Sequence, residues 1–290
     1  MNNTPRFALI GFGEVGQILG ADLVKAGAEP VGVYDLTFAD PASAPSRAAG
    51  PPFMPAASAA EAVRTAQLVI SAVTAANSLD AARAAAEGLA PGAFFLDLNS
   101  ASPGVKQQSA DAINTAGGRY VEAAVMTSVP PKRIASPMLL GGPHADAFLE
   151  LATPLGFSAK VYSQDYGRAS AVKMCRSVMI KGLEALFTES LLTARRLGVE
   201  DDVLASLKDT IPTDWERLAG YMLMRTLQHG RRRAEEMREA ARTVAEAGVQ
   251  PLMASATAKR QDIAASLSPG VDLGAGLDDM LDALLAKLPR

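Results

Sequence analysis

The sequence predicts an α/β protein in which a doubly wound parallel sheet over residues 1–164 is followed by an all-helical domain over residues 165–290. Three observations carry this expectation. Short apolar runs alternate with helical stretches through the first half of the chain. A glycine-rich turn joins the first run to the first helix. Beyond residue 165 the strand pattern stops and helical periodicity takes over.

The first run, Arg6-Phe7-Ala8-Leu9-Ile10, opens directly into Gly11-Phe12-Gly13-Glu14-Val15-Gly16. In a strand-to-helix turn, Gly11 permits the tight bend, Gly13 lets the backbone approach a pyrophosphate, and Gly16 lets the helix pack close to the strand. An anion can then rest on the helix N-terminus, where backbone N–H groups and the helix dipole favour negative charge. With 24 glycines in 290 residues the string alone is weak, so its flanks decide. Residues 14–26 read as a helix with Val15, Ile18, Leu19, Leu23 and Val24 on its apolar positions, stopped by Gly27. Val31-Gly32-Val33-Tyr34 reads as a second strand ending in Asp35, about 20 residues beyond the glycines. There a carboxylate accepts from adenosine ribose hydroxyls and repels a 2′-phosphate, which favours NAD over NADP. Asp35 as a plain turn residue is the alternative.

Later elements follow the same alternation. Gln67 to Val73 reads as a buried strand, with Val73 and Thr74 following as cofactor-binding candidates. Phe94-Phe95-Leu96-Asp97-Leu98 is the next strand, entered through Pro91-Gly92. Arg119 to Ala123 and Ser136 to Leu140 are two more, the last weakened as a central strand by Pro137. Helical stretches at 78–89 and 104–116 lie between strands, while the proline-rich segment between Asp40 and Ala56 reads as a surface loop. The helical domain begins with Arg168 to Leu197, includes a charged helix over 216–247 and closes on an amphipathic stretch from Leu277 to Leu288.

Composition bounds the function. Apolar residues make up 49% of the chain, enough for a sizeable core, and a net charge of −3 gives no global field for nucleic acid. The lone Cys175 forms no internal disulfide. No run approaches a membrane span or a secretory leader, so a cytoplasmic protein is expected. His144 reads as a surface residue at a helix start, and nothing spaced as metal ligands stands out, so no metal is expected.

Two segments bear candidate chemistry. Asp97-Leu98-Asn99-Ser100-Ala101-Ser102-Pro103 ends a strand on the cofactor side. Its hydroxyls suit a substrate, or Ser102 before Pro103 caps a helix. In the second, Tyr166-Gly167-Arg168-Ala169-Ser170-Ala171-Val172-Lys173, Lys173 shares a helix face with Ser177. A lysine in a closed site loses its proton readily and can shuttle one to and from a substrate. A solvated stripe continuing through Lys181, Glu184 and Thr188 is the alternative.

Together the Gly11–Gly16 turn, the Asp97–Pro103 segment, the Gly167–Lys173 element and the two-domain order resemble the β-hydroxyacid dehydrogenase superfamily. His229-Gly230-Arg231-Arg232-Arg233-Ala234-Glu235-Glu236-Met237 further resembles a 6-phosphogluconate dehydrogenase-like branch. The resemblance implies a Rossmann domain, a nicotinamide cofactor, a hydroxy acid substrate and a homodimer. It makes Lys173 the catalytic acid/base and Ser100 a substrate contact. Three positions depart from it. Met126-Thr127-Ser128 stands where relatives have Ser-Gly-Gly, Ser177 replaces an asparagine, and Glu235 falls where many relatives have a second lysine. Thr127, Ser128, Ser177, His229 and Arg233 are therefore the substrate-binding candidates, although Arg231–Glu235 and Arg232–Glu236 also fit ordinary surface pairs on a solvated helix. Imine reduction on the same scaffold and a noncatalytic dinucleotide sensor are the rival readings.

Overall fold

A computed structural model describes residues 4–288. The strands are β1 (Arg6–Ile10), β2 (Glu29–Tyr34), β3 (Leu68–Ser71), β4 (Phe94–Asp97), β5 (Arg119–Val125), β6 (Met138–Gly141) and β7 (Ala159–Ser163). Helices α1 (Glu14–Lys25), α2 (Ala44–Ala48), α3 (Ala59–Val63), α4 (Ser78–Ala86), α5 (Pro103–Thr115), α6 (Val129–Lys132) and α7 (Ala145–Ala152) connect them. Then come α8 (Arg168–Leu197), α9 (Glu200–Thr210), α10 (Trp215–Glu246), α11 (Leu252–Leu267) and α12 (Leu277–Leu285). The chain divides into two compact units, the first ending at Met174 and the second beginning at Cys175, so α8 runs from one into the other.

The strands of the first unit form one sheet in the order β2-β1-β3-β4-β5-β6-β7. Side chains alternate across it. Phe7 and Leu9 join one buried layer with Leu19, Leu23 and Phe148, while Ala8 and Ile10 join the opposite layer with Ala62, Ala82, Ala85 and Ile113. Both faces are thus covered by helices, as a sheet with apolar residues at successive positions requires. The expected doubly wound sheet is present, with one correction: β6 runs antiparallel to β5 and parallel to β7. Pro137 lies just before β6 and joins its pairing with β5 only as an acceptor, its carbonyl taking the Met126 N–H at 2.9 Å, so β6 sits between two partners despite the missing donor. The segment from Asp40 to Ala56 is also more ordered than a plain loop. It contains α2, and Phe53 packs on Phe12 with ring centroids 5.4 Å apart.

Local signals set the helix ends. The Ser102 hydroxyl accepts from the Val105 N–H with Pro103 in the first turn, so the cap reading of Ser102 holds. The Asp214 carboxylate does the same for α10 through the Arg217 N–H. In the second unit, Phe187 and Leu191 of α8, Leu204 of α9, Trp215, Leu223 and Leu227 of α10, and Leu277, Leu281 and Leu284 of α12 form one core. Gly230 brings α10 and α11 so close that a Cβ there would stand 2.8 Å from the Gln261 carbonyl oxygen. Among the described residues no helix is long and apolar enough to cross a membrane.

Candidate active site

Strand order β2-β1-β3 puts a topological switch at β1, whose C-terminal end leads into Gly11. The strand ends are latched together there. Gly11 N–H donates to the Tyr34 carbonyl and Phe12 N–H to Asp35 Oδ2, each at 2.8 Å. Gln17 Nε2 returns from α1 to the Phe12 carbonyl at 2.8 Å. Gly11 has φ +94°, and a Cβ on it would lie 2.3 Å from the Ala72 carbonyl oxygen. On Gly16 a Cβ would stand 2.1 Å from the Gly11 carbonyl oxygen. Gly13 differs: a Cβ there would meet nothing within 4 Å, and Gly13 brings no side-chain cap to α1. Two glycines therefore serve packing and one keeps an open cradle at a helix N-terminus, the arrangement a pyrophosphate needs. The residues present fit a dinucleotide.

Asp35 ends β2 and works as a local cap as well. Its Oδ1 accepts from the Thr37 N–H and hydroxyl at 2.9 and 2.7 Å, and its Oδ2 holds the glycine turn. Val73 and Thr74 follow β3, with the Val73 N–H bonded to Asn99 Oδ1 at 2.8 Å. Asn99 is a residue that sequence reasoning passed over in favour of Ser100. It is buried, and its amide also donates to Ser71 Oγ at 2.9 Å and Ser78 Oγ at 3.3 Å, tying the ends of β3 and β4 together. Beneath it Asp97 and Lys106, both fully buried, pair at 2.9 Å. The Tyr120 hydroxyl donates to Asp97 at 2.7 Å. Burial first, then the Asp97 charge, pushes the Tyr120 phenol well above its ordinary value, so it stays a donor.

Ser100 is half-buried on the segment that follows β4. The start of α8 comes to that segment. Gly167, with φ +87°, lies so near α5 that a Cβ would stand 2.9 Å from Pro103 Cβ. Glu122, fully buried on β5, accepts from the Gly167 and Ser170 N–H groups, both at 2.5 Å. A carboxylate at this helix N-terminus satisfies two end donors and complements the dipole. Glu122 was a second residue missed by sequence reasoning. The available signal was an acid inside the apolar run Tyr120 to Val125. Half-buried Lys173 follows within the next turn of α8.

Thr127 and Ser128 are exposed in the turn between β5 and α6. In the second unit, Ser177 is buried and accepts from Lys181 Nζ at 3.0 Å. The solvated-stripe alternative for α8 fails beyond Ser177: Lys181, Glu184 and Thr188 are 8%, 1% and 3% exposed. Arg233 is buried too, and its guanidinium pairs with Glu184, which also accepts from Gln261 Nε2 at 3.1 Å. Burial pushes Glu184 upward, against the pull of Arg233, Lys181 and Gln261. His229 is half-buried. Burial, then Arg232, Arg225 and Arg233, lower it to about 4, which leaves it neutral at pH 7. Of the surface pairs expected on α10, Arg232 meets Glu236 at 2.8 Å. Among the described residues, no three His, Cys, Asp or Glu side chains gather as a metal site.

Residues 6–162 match the NAD binding domain of 6-phosphogluconate dehydrogenase. The chain belongs to this family. Residues 194–263 match a domain of unknown function (DUF1932). A conserved hypothetical protein from Sinorhizobium meliloti 1021 is 37% identical and superposes with a TM-score of 0.76, the match covering 98% of this chain and 96% of that one. A conserved protein of unknown function, described as structurally similar to 3-hydroxyacid dehydrogenases, is 33% identical with a TM-score of 0.68 over 90% of this chain and 97% of its own. The mitochondrial 3-hydroxyisobutyrate dehydrogenase of Drosophila melanogaster is 25% identical over 202 residues, which cover 68% of this chain and 61% of that enzyme. The 3-hydroxyacid dehydrogenase-like fold read from the sequence is thus the fold of this family.

Proposed function

We propose that the protein is a nicotinamide-dependent oxidoreductase that interconverts a hydroxy acid and its oxo acid, with Lys173 as general acid and base. The observation that carries this reading is the anchoring of α8: Glu122 and Gly167 fix the start of the helix bearing Lys173 against the segment that follows Ser100. Gly11, Phe12, Gly13, Glu14, Val15, Gly16, Asp35, Val73 and Thr74 would hold the dinucleotide. When bound, the nicotinamide supplies the acceptor or donor of hydride. Lys173 takes the substrate hydroxyl proton in oxidation and returns it in reduction. Ser100, Thr127, Ser128 and Ser177 orient polar groups of the substrate. His229 offers a neutral hydrogen-bonding edge, and Arg233, matched by Glu184, holds the helix that carries it. NAD is the preferred cofactor, because Asp35 opposes a 2′-phosphate while its Oδ2, which accepts only from the Phe12 N–H, keeps a lone pair for a ribose hydroxyl.

Titration with NAD and NADP, followed by turnover of a panel of hydroxy acids, oxo acids and amines, tests this reading. Tighter NAD binding is expected, with the preference narrowed in Asp35→Ala, and oxidation of at least one hydroxy acid. With Thr127 and Ser128 in place of glycines, 3-hydroxyisobutyrate and 6-phosphogluconate should fall below about 10⁴ M⁻¹s⁻¹ in kcat/KM. Turnover of amines alone, or dinucleotide binding with no turnover of any compound, would contradict a hydroxy acid dehydrogenase.

A further inference from the structure

The loop that carries Thr127 and Ser128 leaves the sheet after Val125 and re-enters it at Met138. Its neck is closed by the Met126 N–H, which donates to the Pro137 carbonyl at 2.9 Å. Between these ends, buried Val129 and half-buried Ile134 turn back onto the core layer that holds Leu19 and Leu23 of α1. Arg133, next to Ile134, has φ +54° and ψ −132°, and among the described residues it is the one residue other than glycine with a positive φ. Glycine adopts this backbone freely. A side chain there is strained, and such strain persists only where the surroundings over-determine it.

One residue of α1 does so. Asp22 Oδ1 accepts from Arg133 Nε at 2.9 Å and from its Nη2 at 2.8 Å, and Asp22 Oδ2 accepts from the Ile134 N–H at 3.1 Å. The Asp22 side chain is only 15% exposed, so this charged, forked pair is better shielded than a pair between two solvated side chains. The N-terminus of the same helix is the open cradle at Gly13. A position that glycine would fill without strain thus carries the one side chain whose fork ties the loop to the cofactor helix.

We infer that Asp22 and Arg133 are positioning residues for substrate binding: their fork holds the Thr127–Ser128 turn at a fixed place relative to α1, and so relative to the dinucleotide cradle at the other end of that helix. The inference rests on the proposed substrate role of Thr127 and Ser128 and adds to it the residues that place them. Small displacements of a positioning element are costly, because polar groups of the substrate must be met at hydrogen-bonding distance.

The test uses the full chain and the hydroxy acid that the panel shows to be turned over best. Arg133→Gly removes the fork and keeps the backbone setting, so the strain released offsets the lost pair and the melting temperature should change little. KM for the hydroxy acid should rise about tenfold, with kcat and the NADH dissociation constant each held within about twofold, the pattern of lost substrate placement. Asp22→Ala should raise KM by a similar factor, and the double variant should add nothing further. Arg133→Lys, which keeps a donor toward Asp22, should recover part of the loss. Amide hydrogen exchange at Ile134 and Ser136, whose N–H groups bond to Asp22 and to the Arg133 carbonyl, should quicken about tenfold in Arg133→Gly and Asp22→Ala. Unchanged exchange in both variants would show that the fork does not hold the loop, and overturns the inference. Faster exchange with an unaltered KM reduces the fork to a structural tie and overturns it as well. Failure of the dehydrogenase reading appears separately, as absent turnover by the unaltered protein, and exchange, which needs no reaction, then still decides whether the fork sets the turn.

Discussion

The two units bury polar groups in different ways. In the sheet unit, Asp97, Lys106, Tyr120, Asn99, Ser71 and Ser78 form a network at the strand ends. Ser109 Oγ is the one buried side-chain atom there without a partner among the described residues. In the helical unit, Arg233, Glu184 and Gln261 meet in the interior, and both Arg233 Nε and Gln261 Oε1 lack a partner among the described residues. The sheet unit spends its polar side chains on holding backbone, and the backbone makes the dinucleotide seat. The helical unit keeps spare hydrogen-bonding capacity in its buried side chains. The family match falls on the first unit, and the domain of unknown function lies in the second.

The largest effect that would break this contrast is on stability. Lys106→Met removes the cation paired with fully buried Asp97, and the expected cost is about 3–5 kcal/mol in denaturant unfolding at pH 7. Arg233→Met should cost less, about 1–3 kcal/mol, because Glu184 already holds its proton more readily than an ordinary carboxyl and can neutralise. The sign follows from that raised value. A carboxyl held above its unfolded value disfavours folding at high pH, and the penalty fades as pH falls toward the unfolded value near 4.3. The deficit of Arg233→Met should therefore shrink on acidification from pH 7 to 4.5. Equal costs for both variants, independent of pH, would erase the distinction between the units.

Legibility in the sequence follows the same division. Gly11, Gly13 and Gly16 were readable because each answers a local backbone demand: Gly11 a positive φ, Gly16 close approach to the Gly11 carbonyl, and Gly13 an open helix N-terminus. Ser102 before Pro103 was readable for the same reason. The direction of β6 was not, since apolar alternation is alike in parallel and antiparallel pairs. Neither were Asn99 and Glu122, whose partners are backbone groups of segments distant in sequence. On α8 the row Ser177, Lys181, Glu184 suited a solvated face or a site. What excluded the solvated face was pairing with Glu236 and Arg233 on another helix, which periodicity cannot pair.

A smaller effect sharpens the comparison inside the glycine turn. Gly13→Ala adds a methyl to open space, so stability should change by less than about 1 kcal/mol while dinucleotide affinity falls. Gly16→Ala drives a methyl into the Gly11 carbonyl and should lower the melting temperature first. Reversed outcomes, measured by thermal unfolding and NADH titration, would show that Gly13 serves packing and not the cradle.

The proposed role of Lys173 is tested most directly by separating binding from chemistry in Lys173→Met, with NADH titration beside steady-state turnover of the best hydroxy acid from the panel. The expected result is an unchanged NADH dissociation constant with turnover reduced about 10²–10⁴-fold. Near-normal turnover, on a substrate whose chemical step limits the rate, would contradict Lys173 as the acid and base.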